Sequence, residues 1–339
     1  MAEEKIEELF KQIIETTTIL QEALKTSNHD ALAENMHDLL VGEVFVENNA
    51  PDQQTVEELE SKYKNINLSG FSIKELLDVM QLAILKAEKD DATEVNKLMT
   101  PGSVAMIVSL IMHELIAITD EDSLSIIDPT VGAGNLLLQV INNIKATNEM
   151  KISGIGIDND DSLLSVTDSY SQLLDINLDL YHQDSVALWP ISEADFVIAD
   201  LPVGYYPIEE DLERFETKAS EGKSFAHHLL IENSMEHLKN GGFGIFVVPS
   251  EIFKTNQSQT LAKWMTSNVY LQGVLSFPND MFHSKEAQKS LVILQKHGDD
   301  AKQVDNVLMG EIPSLKDMRL FKNFEAEINS WTNSNFNKE

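Results

Sequence analysis

Four aspartates stand where short apolar runs give way to polar turns: Asp128 in IIDPT, Asp158 in GIGIDND, Asp184 in YHQDS and Asp200 in FVIADLP. After the first of them the chain reads Pro129, Thr130, Val131, Gly132, Ala133, Gly134, and apolar residues then resume at helical spacing from about Asn135. Glycines at 132 and 134 let a backbone turn tightly and approach a ligand, while Pro129 interrupts strand pairing. Asp158 lies 24 residues beyond Gly134, where a carboxylate can accept both ribose hydroxyls of a nucleoside. Asp184 supplies a second polar contact at the same rim. Together these residues describe a nucleoside pocket.

A two-glycine turn also serves dinucleotide enzymes and ordinary tight turns. The third glycine of a G-x-G-x-x-G fingerprint is missing, because Leu137 occupies its place. Asp128 and Pro129 open the turn, and the local sequence offers no basic residue to share the charge of a diphosphate. A cationic sulfonium cofactor without phosphate suits an acidic rim of this kind, which points to S-adenosylmethionine.

Such a rim needs a scaffold. Short apolar runs alternate with helical stretches from Thr100 onward, the pattern of a parallel sheet flanked by helices. Strands are predicted at 125–128, 152–158, 178–182, 196–200, 244–249, 273–277 and 290–295, with helices near 133–147, 160–174, 224–239 and 257–267. The expected fold is an α/β, doubly wound, seven-stranded Rossmann-like sheet, whose ligands lie beyond the carboxyl ends of the strands. Residues 1–97 read as a separate all-helical domain of about four helices, preceding the α/β domain over 98–339. Ser72 with Glu75 forms a capping-box pattern there, and Asn48 to Asp52 reads as a turn.

The 339 residues carry 25 Lys plus Arg against 56 Asp plus Glu, a net charge of −31. Only Arg214 and Arg319 are arginines, so no basic face for gripping phosphates is advertised. The absence of cysteine removes thiolate chemistry, disulfides and zinc ribbons. No apolar run approaches the roughly 18 to 20 residues of a membrane span, and the acidic MAEEKIEELF start is unlike a signal peptide, so a cytoplasmic protein is expected.

Six stretches then match in order: TPGSVAMIVSLI (Thr100 to Ile111), DPTVGAGNLL (Asp128 to Leu137), GIGIDND (Gly154 to Asp160), ADLPVGYYP (Ala199 to Pro207), the run from Phe225 to Phe253, and LQGVLSFPNDMF with SLVILQK (Leu271 to Lys296). This series, covering roughly residues 98 to 297, resembles the gamma-type N6-adenine DNA methyltransferases. In particular it is similar to the modification subunits of type I restriction systems and their small stand-alone bacterial relatives.

The resemblance implies roles residue by residue. Thr100 and Pro101 fall on a cofactor-contacting motif at the methionine end of the pocket. Asp128, Pro129, Thr130, Gly132, Gly134 and Asn135 fall on the glycine motif. Asp158 with Asn159 falls on the ribose-binding acid, and Asp184 with Ser185 lies near the cofactor's adenine. Asp200, Leu201, Pro202 and Val203 fall on the motif that reads Asn or Asp, Pro, Pro, then Tyr or Phe in active enzymes. There a side-chain oxygen and a backbone carbonyl accept the two N–H bonds of the target amine, and a ring stacks on the flipped base. Val203 departs from the pattern; Tyr205 or Tyr206 could supply the ring, or could merely pack the loop.

The loop IEEDLERFETKASEGK is acidic and would repel a phosphate backbone. About 44 residues remain after Gln295, too few for a target-recognition domain of about 100 residues. DNA binding is therefore expected to need a specificity partner, and the amino-terminal helices could pair two copies. Alternatives are a same-fold enzyme acting on a protein or small molecule, and a cofactor-binding protein without catalysis. His227 and His228 lack a further ligand at helical spacing, so they read as packing rather than metal-binding residues, and no metal is expected. Trp189-Pro190 reads as a lid, Asp160-Asp161 as a helix start, and Gly241-Gly242 as a helix stop.

Overall fold

The computed structural model describes residues 2–117, 122–282, 287–298 and 301–336. Four helices come first: α1 (Ala2–Leu24), α2 (Asn28–Val41), α3 (Gln53–Tyr63) and α4 (Ile73–Asp90). Helix α4 begins with the predicted box: Ser72 accepts from the Glu75 N–H, and the Glu75 carboxylate accepts from the Ser72 N–H at 2.7 Å. These helices are not a detached cap. Leu9, Ile13, Met36, Met80 and Ile84 share one core with Leu124, Ile126 and Leu137 of the later sheet and helices.

Helix α5 (Gly102–Ile116) leads into the alternating part: β1 (Ser123–Asp128), α6 (Asn135–Lys145), β2 (Lys151–Asp158), α7 (Asp161–Leu173), β3 (Leu178–His182), β4 (Ala194–Asp200), α8 (Ala226–Glu236) and β5 (Leu238–Pro249). It ends with α9 (Ser258–Asn268), β6 (Val269–Ser276), β7 (Lys289–Lys296), β8 (Leu308–Glu311) and α10 (Met318–Phe336). The first helices dock onto this body through α2 and α7, where Ser169 donates to the Ala33 carbonyl at 2.9 Å.

The sheet runs β3-β2-β1-β4-β5-β7-β6-β8. Chain order reverses between β1 and β4, so the rim over those strands is the switch point at which such sheets bind ligands. Two expectations need correction. The sheet has eight strands rather than seven, because Leu308–Glu311 adds a parallel edge beside β6. It is also mixed: β7 runs antiparallel to both β5 and β6. A mostly exposed strand of four residues lacks the apolar run that marks its neighbours, and β7, buried on both faces, carries the same continuous apolar run as a parallel strand. A third correction concerns Gly241-Gly242. Helix α8 ends at Glu236, and both glycines lie inside β5, Gly241 taking φ +79° as the strand bends.

Candidate functional site

The glycine turn is built by local rules. The Thr130 N–H donates to Asp128 Oδ1 at 3.0 Å, Val131 N–H to the Ile157 carbonyl at 3.1 Å, and Gly134 N–H to the Val131 carbonyl at 2.8 Å. Gly132 takes φ +51° and Gly134 φ +81°, a region that favours glycine. The two positions differ in surroundings. A Cβ on Gly134 would meet Thr167 and Leu138 at 2.9 to 3.0 Å, whereas one on Gly132 would meet nothing within 4 Å. Gly134 therefore closes the turn against α7, and Gly132 faces open space where a ligand can approach.

Asp158 connects this turn to the end of β2. Its Oδ2 accepts from Gly132 N–H at 2.9 Å and its Oδ1 from Asp160 N–H at 3.0 Å. Each oxygen keeps a lone pair for a ribose hydroxyl. Burial raises the Asp158 carboxyl above its ordinary value despite these N–H bonds. Asp128 is 1% exposed, and burial, with the charges of Asp158 and Asp200 adding to it, pushes its carboxyl up to about 8. This end of the rim would be relieved by a cation and would repel a diphosphate. The residues present thus fit an adenosyl sulfonium.

Asp184 and Ser185 are tied into the scaffold. Asp184 accepts from Val186 N–H at 2.8 Å and from the Tyr206 hydroxyl at 2.5 Å. Ser185 donates to the Pro129 carbonyl, joining the third loop to the glycine turn. Burial and the adjacent Asp184 raise the Tyr206 hydroxyl well above its ordinary value, so it stays a donor. Tyr206 therefore braces the loop after β3 rather than offering a ring. Trp189 is no lid: it is buried, its indole N–H donates to the Ser185 carbonyl at 2.9 Å, and it packs on His237 at 4.3 Å. Asn159 is exposed at the rim, its carbonyl 3.3 Å from the His182 ring. Asp160 caps α7 as expected, accepting from Leu163 N–H at 3.2 Å.

The segment before α5 crosses the cleft mouth. Its 3-10 turn, Val95–Lys97, leads to Pro101 at the start of α5. Asn96 donates to the Val203 carbonyl at 2.8 Å and accepts from Val203 N–H at 3.1 Å, while Lys97 pairs with Asp160 at 2.8 Å. Thr100 donates to Asp200 Oδ2 at 3.1 Å, and the Asn135 amide donates back to the Thr100 carbonyl at 2.5 Å. The rims of β2 and β4 are thus bridged by three residues of one connection, Asn96, Lys97 and Thr100.

At the acceptor end, Leu201 is fully buried and its N–H donates to the Val247 carbonyl at 3.0 Å. Pro202 follows. Tyr205 is 56% exposed and stacks on Phe225, ring centroids 4.6 Å apart and planes 12° off parallel. Val203 is also exposed, but Asn96 occupies both its backbone groups. His227 and His228 are buried against Phe225, and burial lowers them to about 4 and about 3, so they pack as neutral rings.

The sequence offered no cation at this rim, and here the structure corrects it. Lys289 forms an ion pair with Asp200 Oδ1, and Lys97 sits beside Asp160. Lys289 is 89 positions away from Asp200 in sequence. It reaches the rim because β7 is antiparallel, so its first residue lies at the edge where the parallel strands end.

The N-6 DNA methylase family matches residues 78–338, and the YtxK N-terminal helical domain matches residues 7–87. The chain belongs to the N-6 DNA methylase family. It is 33% identical over 336 residues to the uncharacterised protein YtxK of Bacillus subtilis strain 168, covering 98% of each chain. A crystal structure from Listeria monocytogenes, described as a candidate class I S-adenosylmethionine-dependent methyltransferase, superposes with a TM-score of 0.88 at 35% identity, covering 97% of this chain and 99% of that one. The methyltransferase subunit of a type I restriction-modification system from Streptococcus thermophilus shares the fold at a TM-score of 0.64 and 18% identity, covering 93% and 74%. The molecule is thus a methyltransferase of the S-adenosylmethionine-dependent class, with an amino-terminal helical region like that of YtxK. Among the described residues no helix is long and apolar enough to cross a membrane.

Proposed function

We propose that the cleft over β1, β2 and β4 binds S-adenosylmethionine and directs its methyl group to the exocyclic amine of adenine in DNA that a partner presents, in the cytoplasm. The observation that carries this reading is the direct bond from Gly132 N–H to the Asp158 carboxylate. It fixes a ribose-binding acid against an open glycine turn beside the buried Asp128. In this reading Asp158 and Asn159 hold the ribose end. Asp184 and Ser185 border the adenine. Asp128, Pro129, Thr130, Gly132, Gly134, Asn135, Thr100 and Pro101 shape the rest of the cleft.

The cofactor, when bound, supplies an electrophilic methyl group on a sulfonium. The chain's own contribution is to orient an amine toward it. Asp200 accepts one N–H of the target amine and the Leu201 carbonyl the other, turning the lone pair toward the donor. Pro202 stiffens the turn. Tyr205, backed by Phe225, offers an exposed aromatic face for a planar base.

A partner is required because Arg214 is spent within the fold, donating to the Val186 carbonyl at 2.7 Å and to Asn233 at 2.8 Å, and because the chain as a whole carries −31. The same two facts, with Val203 at the stacking position, favour a second reading in which the acceptor is a basic protein or small molecule. Purified protein incubated with tritiated S-adenosylmethionine and unmethylated DNA, RNA or cell extract separates the two. Label recovered as methyladenine supports the first reading, and label confined to protein or small molecules supports the second. Cofactor binding with no label in any fraction contradicts both as enzymatic assignments.

A further inference from the structure

Resting on the cofactor reading above, we propose that Lys289 is the internal counter-cation of Asp200 and sets how strongly the cleft prefers a positively charged occupant over a neutral one. Asp200 is the last residue of β4, at the switch point, with both carboxylate oxygens engaged: Oδ1 by the Lys289 ammonium and Oδ2 by the Thr100 hydroxyl at 3.1 Å. The Asp200 side chain is 12% exposed and that of Lys289 25%, so water screens this pair less than a surface ion pair. Two further carboxylates, Asp128 and Asp158, face the same rim, and Asp200 adds its charge to the field that Asp128 feels.

Lys289 is held in place by its backbone. It pairs in register with Pro249 at the end of β5, and its carbonyl accepts from Phe277 N–H at 3.2 Å, while Asp200 pairs with Val247 one strand nearer the switch point. The ammonium therefore crosses the end of β5 to reach the carboxylate. Of these three aspartates, Asp128 and Asp158 are held by neutral backbone N–H groups and Asp200 by a full positive charge.

Two consequences follow for ligands. A methyl donor brings a sulfonium charge toward carboxylates that Lys289 has partly neutralised, so the donor loses part of the advantage it would hold over its neutral thioether product. The acceptor carboxylate is also not idle in the absence of ligand: an incoming amine must share Oδ1 with the ammonium or displace it. Lys289 is a positioning residue here, acting through Asp200.

The test is calorimetric titration of S-adenosylmethionine and S-adenosylhomocysteine into the wild-type chain and into Lys289→Met, Lys289→Gln, Lys289→Arg and Asp200→Asn. The ratio of the two dissociation constants is the readout. Lys289→Met and Lys289→Gln should each move it about tenfold in favour of the charged donor, the effect of removing a unit charge several ångströms away. Lys289→Arg should stay within about twofold of wild type, and Asp200→Asn, which leaves the ammonium unopposed, should move it the other way. Both ligands binding with a ratio unmoved in Lys289→Met and Lys289→Gln would overturn the role of Lys289 and leave the cofactor reading standing. No heat for either ligand with the wild type would remove the cofactor reading, and this inference with it.

Discussion

The two halves of the cleft are built by different means. On the β1–β2 side, Asp128 and Asp158 are held by N–H groups of residues next to them or in the adjoining turn: Thr130, Gly132 and Asp160. On the β4 side, Asp200 and Val203 are held by side chains from far along the chain: Lys289, Thr100 and Asn96. The first half is an acidic cradle with spare lone pairs and open space, and the second is clamped. In the proposed reading, the cofactor would meet a preformed end, and an incoming amine would have to share or displace the contacts that clamp Asp200.

The largest effect should come from the first half. Gly134→Ala puts a side chain at φ +81° and against Thr167, costing about 2 to 4 kcal/mol of stability in denaturant titration. Gly132→Ala, with open space around it, should cost only about 1 to 2 kcal/mol yet weaken cofactor binding. Equal stability losses would dissolve the distinction between a packing glycine and a ligand-facing one. Asp158→Ala should weaken cofactor affinity by about 1.5 to 3 kcal/mol if its charged hydrogen bonds reach the ribose. Unchanged affinity would take Asp158 out of the site.

Asp128 gives the comparison a pH dependence. Burial lifts its folded value from 3.8 to about 8, so the folded state holds a proton there that the unfolded chain gives up. The stability tied to this group is fully present below about pH 4 and is lost as pH rises through about 8. Asp128→Asn should therefore flatten the decline in stability over that window, measured by thermal unfolding at several pH values. A cationic ligand needs the ionised form, so cofactor affinity should rise by up to about 1.4 kcal/mol per pH unit below pH 8. Affinity that is flat with pH would separate Asp128 from the ligand. The smallest effect belongs to the clamp: Asn96→Ala should cost about 1 kcal/mol of stability and speed amide exchange at Val203. No change in that exchange would mean the two backbone bonds do not hold the loop.

Legibility in the sequence followed the same division. The first half could be read because a glycine turn, a capping aspartate and a strand-terminal carboxylate are local devices, each written within a few residues. Helices α6 and α7 and strands β1 to β4 follow from apolar periodicity for the same reason. Lys289 could not be read, because its place depends on β7 running against its neighbours, and β7, buried on both faces, carries the same continuous apolar run as the parallel strands beside it. Asn96 belongs to no motif read in the sequence, and only tertiary placement turns its amide toward Val203. Strand β8 escaped because an edge strand needs no continuous apolar run, and Gly241 misled because a glycine pair ends helices and bends strands alike.

Calorimetry on the purified wild-type chain tests the central claim most directly, with S-adenosylmethionine, S-adenosylhomocysteine, NAD and ATP titrated in turn. Saturable heat is predicted for the first two and none for the phosphate-bearing pair. Saturable binding of NAD or ATP, with silence from the sulfonium and its thioether product, would contradict the claim that this rim is built for an adenosyl cation.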